Sequence, residues 1–359
     1  MTDASFAILT CACGAEHAVK SSMTEYGWRL AFSRPGFVTA KNDQLNAPLP
    51  DGIFIRTAAH SLGQSRNQMA ISHLDALRES LVAFSASTSS AASVRPRGKV
   101  FDELHVWSKD RAPIGRFDFE PGLDEISRAV ADEVFAAIGD DWLRCDAPNR
   151  IAEPGSRVLD IVLVDPSHWF FGTHQAQTWP TRWPAAVQPI SPRYEPISRA
   201  YYKAAEAIAW SGFPMQPGDL VVEIGSAPGG ACGRLLELGM QVIGVDPAEM
   251  DPRVAKHPNF QHLRARAGDL PRKTFRGAQW MLVDSNVRPE KTLVTVENIV
   301  ANTRTDFRGL LLTMKIGDYD ALDLIQQWRS TIERWNPVSI DVRQVARNRV
   351  EVCFAVRFR

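Results

Sequence analysis

The amino-acid sequence predicts an α/β protein, with a Rossmann-like domain over residues 197–359 preceded by an α+β region over residues 1–177. Three observations lead there. After residue 196, apolar strands alternate regularly with helical stretches, the arrangement that gives a parallel sheet with right-handed crossovers. Before residue 178, strands come in short pairs separated by turn residues, which favours antiparallel pairing. Between the two lies "TWPTRWPAAVQPISPRYEP", residues 178–196, whose five prolines oppose regular structure and make it a semi-rigid connector. A chain of 359 residues accommodates two such domains.

Within the N-terminal region, "FAILTCA" reads as a strand and "GAEHAVKSSMTEYG" as a helix closed by glycine. "RLAFSR" and "GFVTAK" are strands on either side of a Pro-Gly turn. A helix is expected over residues 67–84. The run "SASTSSAAS", residues 85–93, has no periodicity and is expected to be a flexible loop. "KVFDELHVWS" is the next strand. Leu123, Ile126, Val130, Val134 and Ile138 recur at helical spacing and predict an amphipathic helix over residues 122–138. "SRVLDIVLVD" and "HWFFGTHQAQ" are paired strands, and Trp179 and Trp183 of the connector are expected to pack against a domain. In the C-terminal domain strands are predicted at 220–224, 241–245, 280–283 and 310–314, with a closing hairpin at 339–345 and 350–358.

Hydrophobic residues make up 45% of the chain and charged residues 23%, the balance of a soluble globular protein with a sizeable core. Formal net charge is zero, so bulk composition announces no polyanionic partner. The charge is uneven, however: residues 191–359 carry 23 Lys+Arg against 19 Asp+Glu, which places any polyanion-binding face on that half. Of the five cysteines only Cys11 and Cys13 are close together, and no matching Cys or His pair follows them. No metal site is therefore expected, and the odd count points to reduced thiols and a cytoplasmic location. "MTDASFAILT" lacks the basic and apolar segments of a leader, and no apolar run reaches the roughly 20 residues of a membrane span. A monomer without membrane association is expected.

The stretch "VVEIGSAPGG", residues 221–230, sits where the first strand of the C-terminal domain feeds its first helix. Gly225 permits a sharp turn, and Gly229 and Gly230 allow close approach of a ligand or of the sheet. The helix that begins there directs unpaired N–H groups above the turn. Asp246 ends the second strand, 21 residues after Gly225, where a carboxylate can accept hydrogen bonds from ribose hydroxyls. Ala227 and Pro228 stand where a dinucleotide motif needs bare backbone, which argues against NAD. An adenosine cofactor without phosphates, S-adenosylmethionine, fits better.

"EIGSAPGG" resembles motif I of the FtsJ-type methyltransferases, and four more stretches, one before it and three after, match that family in order. "SRAYYK" places Lys203, "WMLVDSN" places Asp284, "LLLTMKIGD" places Lys315 and "RNRVEVCFAV" places Glu351. The resemblance covers residues 191–359 and implies the Lys-Asp-Lys-Glu tetrad of RNA ribose 2′-O-methyltransferases. It also implies a cofactor site built from Glu223, Gly225, Ser226, Ala227, Pro228, Gly229, Gly230, Asp246, Asp269 and Asp284. The layout of the whole chain is similar to a branch of the family in which a ferredoxin-like, THUMP-containing region precedes the catalytic domain. That branch implies an RNA partner, 23S rRNA.

A ribose 2′-hydroxyl is almost un-ionised at neutral pH and needs a base within hydrogen-bond reach. Lysine serves only when uncharged, and an ordinary lysine titrates near ~10.4. A neighbouring ammonium and partial burial lower that value. The expected base is accordingly Lys315, with Lys203 as its cationic neighbour and Asp284 and Glu351 orienting both. Glu223 has two readings, contact with the cofactor's amino group or satisfaction of the turn's amides. Asp269 is a candidate for the adenine amino group or a helix N-cap. Arg264, Arg266, Arg272, Lys273, Arg276, Arg343, Arg347 and Arg349 are candidates for phosphate contacts or for solvated loops. Two further readings use the same residues: the same chemistry on tRNA or another RNA, and a non-catalytic RNA-binding protein that keeps the fold.

Overall fold

The computed structural model describes residues 5–66, 69–88, 99–302 and 307–358. It divides into two units, Met1–Pro189 and Ile190–Arg359. The division falls inside the proline-rich stretch, whose first half is a built part of the N-terminal unit. Trp183, Ala185, Ala186 and Val187 are buried there, while Trp179 is 39% exposed under the Arg182 guanidinium, 4.2 Å from its ring centre.

The N-terminal unit runs β1 (Ser5–Thr10), α1 (Glu16–Thr24), β2 (Arg29–Arg34), β3 (Phe37–Asn42), β4 (Thr57–Arg66), α2 (Ala70–Thr88), β5 (Glu103–Ser108), α3 (Glu125–Trp142), β6 (Arg157–Asp165) and β7 (His168–Gln175). Its strands form one sheet in the order β2-β3-β1-β4-β7-β6-β5. All neighbours are antiparallel except β5 and β6. The core gathers Leu77 and Leu81 of α2 and Val134 and Ile138 of α3 with Leu104, Ile161 and Phe171 of the sheet. Burying such a side chain contributes about 1.5–3 kcal/mol.

Two expectations change here. The helix predicted over residues 67–84 continues through Thr88, so the first residues of the small-residue run are helical. Ser87 Oγ, for example, donates to the Phe84 carbonyl at 2.7 Å, the back-bonding that lets a hydroxyl ride on a helix. The rest of that run lies outside the described residues. The strand β4, "TAAHSLGQSR", was not anticipated. Its small and polar residues carry no period-2 signal, and a bulge between Ser61 and Gly63 interrupts its pairing with β7.

A buried polar cluster ties this unit to the start of the proline-rich stretch. His174 Nδ1 meets Asp160 Oδ2 at 2.5 Å, and His174 Nε2 donates to the Thr181 carbonyl at 2.7 Å. Burial pulls His174 down, but Asp160 outweighs it and the imidazole pKa is raised. The neighbouring His105 behaves oppositely: burial, helped by His174, pushes it down to about 3. Its folded value lies below its unfolded value near ~6.5, so its contribution is present above that pH and is lost on acidification. The favourable His174 pairing is already complete below the unfolded value and adds no slope there. This contribution of His105 should therefore weaken steadily as pH drops from 6.5 towards 4. Urea unfolding at pH 6.5, 5.5 and 4.5 checks this as a difference, with the wild type expected to lose more stability on acidification than His105→Gln.

The C-terminal unit runs α4 (Ala200–Ser211), β8 (Leu220–Ile224), α5 (Gly230–Glu237), β9 (Gln241–Val245), α6 (Pro252–Ala255), β10 (Phe260–Leu263), β11 (Trp280–Asp284), α7 (Pro289–Asn302), β12 (Gly309–Lys315), α8 (Leu322–Glu333), β13 (Ser339–Arg343) and β14 (Glu351–Arg357). The strand order is β10-β9-β8-β11-β12-β14-β13. The first five strands are parallel, and β14 lies antiparallel between β12 and β13. The apolar runs become central strands buried by helices: Val221, Val242, Trp280 and Leu311 pack with Ala204 of α4 and with Cys232 and Leu235 of α5. From β8 the chain winds outward through β9 and β10, then returns to start again at β11. Strand order therefore reverses between β8 and β11, and the crevice beyond their carboxyl ends is where such sheets bind ligands.

Candidate active site at the carboxyl ends of the parallel strands

The glycine turn leaves β8 at this reversal. Gly225 has φ +85°, and a Cβ placed on it would stand 2.4 Å from the Asp284 carbonyl oxygen at the end of β11. The residue is glycine because two backbones meet there. At Gly230 a Cβ would stand 2.1 Å from Ser198 Oγ and 3.1 Å from the Tyr201 nitrogen. Gly225 and Gly230 thus serve close approach of β11 and of the start of α4. The Ala227–Pro228 peptide is cis. Ser226 is buried, with its hydroxyl 3.7 Å from Met250 Sδ.

Asp246, just beyond β9, accepts the Ala227 N–H at 3.3 Å and the Ala248 N–H at 2.8 Å. The position that a dinucleotide motif leaves as bare glycine thus spends its N–H on the carboxylate. Glu223 of β8 is 2% exposed and takes the Cys232 thiol on Oε2 at 2.7 Å. Burial pushes its pKa up to about 8, despite the thiol, with Asp284 and Asp246 adding to the rise. Cys232 is a contact the sequence reading missed, since nothing in the motif marks the third residue of α5 as a partner. Asp269 ends a short 3₁₀ turn and is exposed.

The tetrad positions converge on the same edge. Lys203, on the first turn of α4, meets Asp284 Oδ2 at 2.7 Å and Glu351 Oε2 at 2.7 Å. Its side chain is only 11% exposed. Burial pulls the Lys203 pKa down, but the two carboxylates outweigh it and hold the ammonium above the ordinary lysine value. Asp284 ends β11 and Glu351 begins β14, so both stand at one end of the sheet.

Lys315 ends β12, and its Cα lies opposite that of Glu351 in the antiparallel register. Its side chain differs from the expectation. It is exposed, and its ammonium donates to the side-chain oxygen of Asn286. The ion pairs join Lys203, Asp284 and Glu351, while Lys315 stands at their edge in solvent. The reason is geometric: Lys203 already occupies the space between the two carboxylates and uses their charge.

Among the phosphate-contact candidates, Arg347 is not available. Its guanidinium meets Glu206 Oε1 at 2.5 Å and is 15% exposed. Arg264 meets Glu249 at 3.3 Å on the surface. Arg272, Lys273, Arg276 and Arg349 are exposed. Among the described residues no group of His, Cys, Asp and Glu could hold a metal, and no helix is long and apolar enough to cross a membrane.

Residues 196–303, which include α4, the glycine turn and Asp284, match the family model described as FtsJ-like methyltransferase. The C-terminal unit carries an FtsJ-like methyltransferase domain. The chain is also similar to curated proteins named ribosomal RNA large subunit methyltransferase M. It is 27% identical over 158 residues to that of Aromatoleum aromaticum, covering 42% of each chain. It is 30% identical over 137 residues to that of Halorhodospira halophila, covering 37% of this chain and 39% of that one. With the Azoarcus protein it shares 23% identity over 214 residues, or 56% of this chain and 57% of the other. The matched stretches thus span about half or less of these relatives. The FtsJ-like match ends before β12 and β14, so it includes Lys203 and Asp284 but not Lys315 or Glu351.

Proposed function

We propose that the protein is an S-adenosylmethionine-dependent ribose 2′-O-methyltransferase acting on RNA, with large-subunit rRNA as its substrate. The observation that carries the proposal is the Lys203 ammonium held between Asp284 and Glu351, at the carboxyl ends of the sheet beside a methyltransferase cofactor turn. The relatives' name supplies the substrate class. The N-terminal unit would be the THUMP-like, RNA-binding part.

When bound, S-adenosylmethionine would supply an electrophilic methyl group on a sulfonium. Asp246 would receive the ribose hydroxyls, Glu223 the amino group, and Asp269 the adenine edge. Burial raises Glu223 to about 8, and an ammonium beside it would favour its ionised form. Lys203 remains charged, and of its three N–H donors one is left beyond those facing Asp284 and Glu351; it would hold the 2′-oxygen. Lys315, at the exposed rim, would take the 2′-hydroxyl proton. Asn286 would orient the amine by accepting one N–H. Glu351 and Asp284 keep Lys203 charged and in place.

Calorimetry with S-adenosylmethionine tests the cofactor site. Asp246→Ala should weaken binding about 10–100-fold, the loss of one or two charge-assisted hydrogen bonds. Unchanged affinity would remove Asp246 from the site. Comparing 2′-O-methyl maps of rRNA and tRNA from cells with and without the gene tests the substrate: loss of a single rRNA mark is expected. A lost tRNA mark would transfer the same chemistry to another RNA.

A further inference from the structure

One turn beyond Lys203 on α4 stands Glu206, a carboxylate only 1% exposed. It accepts the backbone N–H of Arg347 at 2.8 Å on Oε2 and the Arg347 guanidinium at 2.5 Å on Oε1. Arg347 lies between β13 and β14, four residues before Glu351. Two more contacts, from α4 and the residue that caps it, reach the same residue. Arg199 Nη2 donates to the Arg347 carbonyl at 3.3 Å, and the Arg347 guanidinium lies 5.1 Å from the Tyr202 ring centre. Arg199, Tyr202 and Glu206 thus grip a single residue of the segment that ends in Glu351, and Lys203 sits among the three.

A buried carboxylate is a costly means of attaching a helix to a loop, because apolar side chains of similar size hold at least as well. What two oxygens facing two donors add is a single geometry. An apolar contact tolerates sliding, whereas a reacting constellation must be held within about 0.5 Å. We propose that Glu206 is a positioning residue: by gripping Arg347 it fixes the entry to β14 against α4 and so sets Glu351 against Lys203. The proposal rests on the reading of Lys203 and Glu351 as parts of the methyl-transfer site. It concerns a residue outside the tetrad, and it reassigns Arg347 from phosphate contact to internal clamp.

Reductive methylation of the intact protein by formaldehyde and borohydride, read per lysine by mass spectrometry, reports the geometry without requiring activity. In the wild type Lys203 should react far more slowly than the exposed Lys256. In Glu206→Gln, and in Arg347→Lys, Lys203 should react at least about fivefold faster, because local opening of the clamp exposes it. With methyl transfer as the second readout, kcat should fall about tenfold or more, and the KM for S-adenosylmethionine should stay within about twofold, since its cradle is untouched. Arg347→Lys keeps a cation on Glu206 and decides the matter alone if Glu206→Gln does not yield soluble protein. Lys203 remaining as protected as in the wild type would overturn the proposal, as would equal loss of kcat and of donor affinity. Failure of the enzymatic reading is distinct: wild-type protein would neither bind the donor nor methylate RNA, while the lysine-protection result would still decide what Glu206 does.

Discussion

Lys315→Ala is expected to lower methyl transfer by about 10²–10⁴-fold, the range supplied by a positioned general base, while S-adenosylmethionine affinity stays within about twofold. The separation follows from the geometry. Lys315 is exposed at the end of β12, and its ammonium contacts Asn286 rather than the glycine turn, Glu223 or Asp246. No hydrogen bond joins it to the cofactor side of the site among the described contacts, so its removal leaves that cradle standing. Single-turnover transfer to an rRNA substrate, alongside calorimetry, measures both halves. A variant that methylates at the wild-type rate would exclude Lys315 as the base. The charged Lys203 would not replace it, because two carboxylates hold it as an ammonium.

Gly225→Ala should be nearly as severe through a different cause. The new methyl group would fall 2.4 Å from the Asp284 carbonyl oxygen and 2.9 Å from Ser285 Cα, both backbone atoms that cannot swing aside. A left-handed φ adds roughly 1–2 kcal/mol for any residue with a Cβ. The carboxyl ends of β8 and β11 must separate, carrying Asp284 away from Lys203 and opening the turn. Loss of detectable cofactor binding and a clear drop in Tm are expected. Gly218→Ala provides the control: Gly218 has φ +92° with nothing within 4 Å of its added Cβ. It should show the strain alone and bind the cofactor normally. Equal behaviour of the two variants would mean that the close approach at Gly225 does not matter.

The legible part of this protein is the part encoded by local pattern. The apolar runs at β8, β9, β11 and β12 announce buried parallel strands, and the alternating "VEVCFAV" announces β14. The motif residues Lys203, Asp284 and Glu351 could be named from the sequence, and the structure joins them by ion pairs. Other features depended on pairings that no local signal carries. β4 has small, polar residues and is a strand because β1 and β7 flank it. Glu206 and Arg347 are 141 residues apart, and an arginine in a basic loop looks the same whether it faces phosphate or a buried carboxylate. The exposure of Lys315 depends on Lys203 having already filled the space between the carboxylates. Cys232 carries no motif signal of its own, and it is the donor to Glu223.

The placement of β14 has a consequence in time. The turn, Glu223 and Asp246 are drawn from β8, β9 and the segments beside them, neighbours along the chain that can assemble with short loop closures. Glu351 reaches Lys203 only once β14, the last strand of the chain, has paired with β12, and β13 joins the sheet only through β14. On the reading proposed above, the protein acquires its donor pocket early in folding and its reactive edge last. A half-formed molecule would then hold the methyl donor with nothing poised to spend it, a safeguard against stray alkylation that the strand order alone provides.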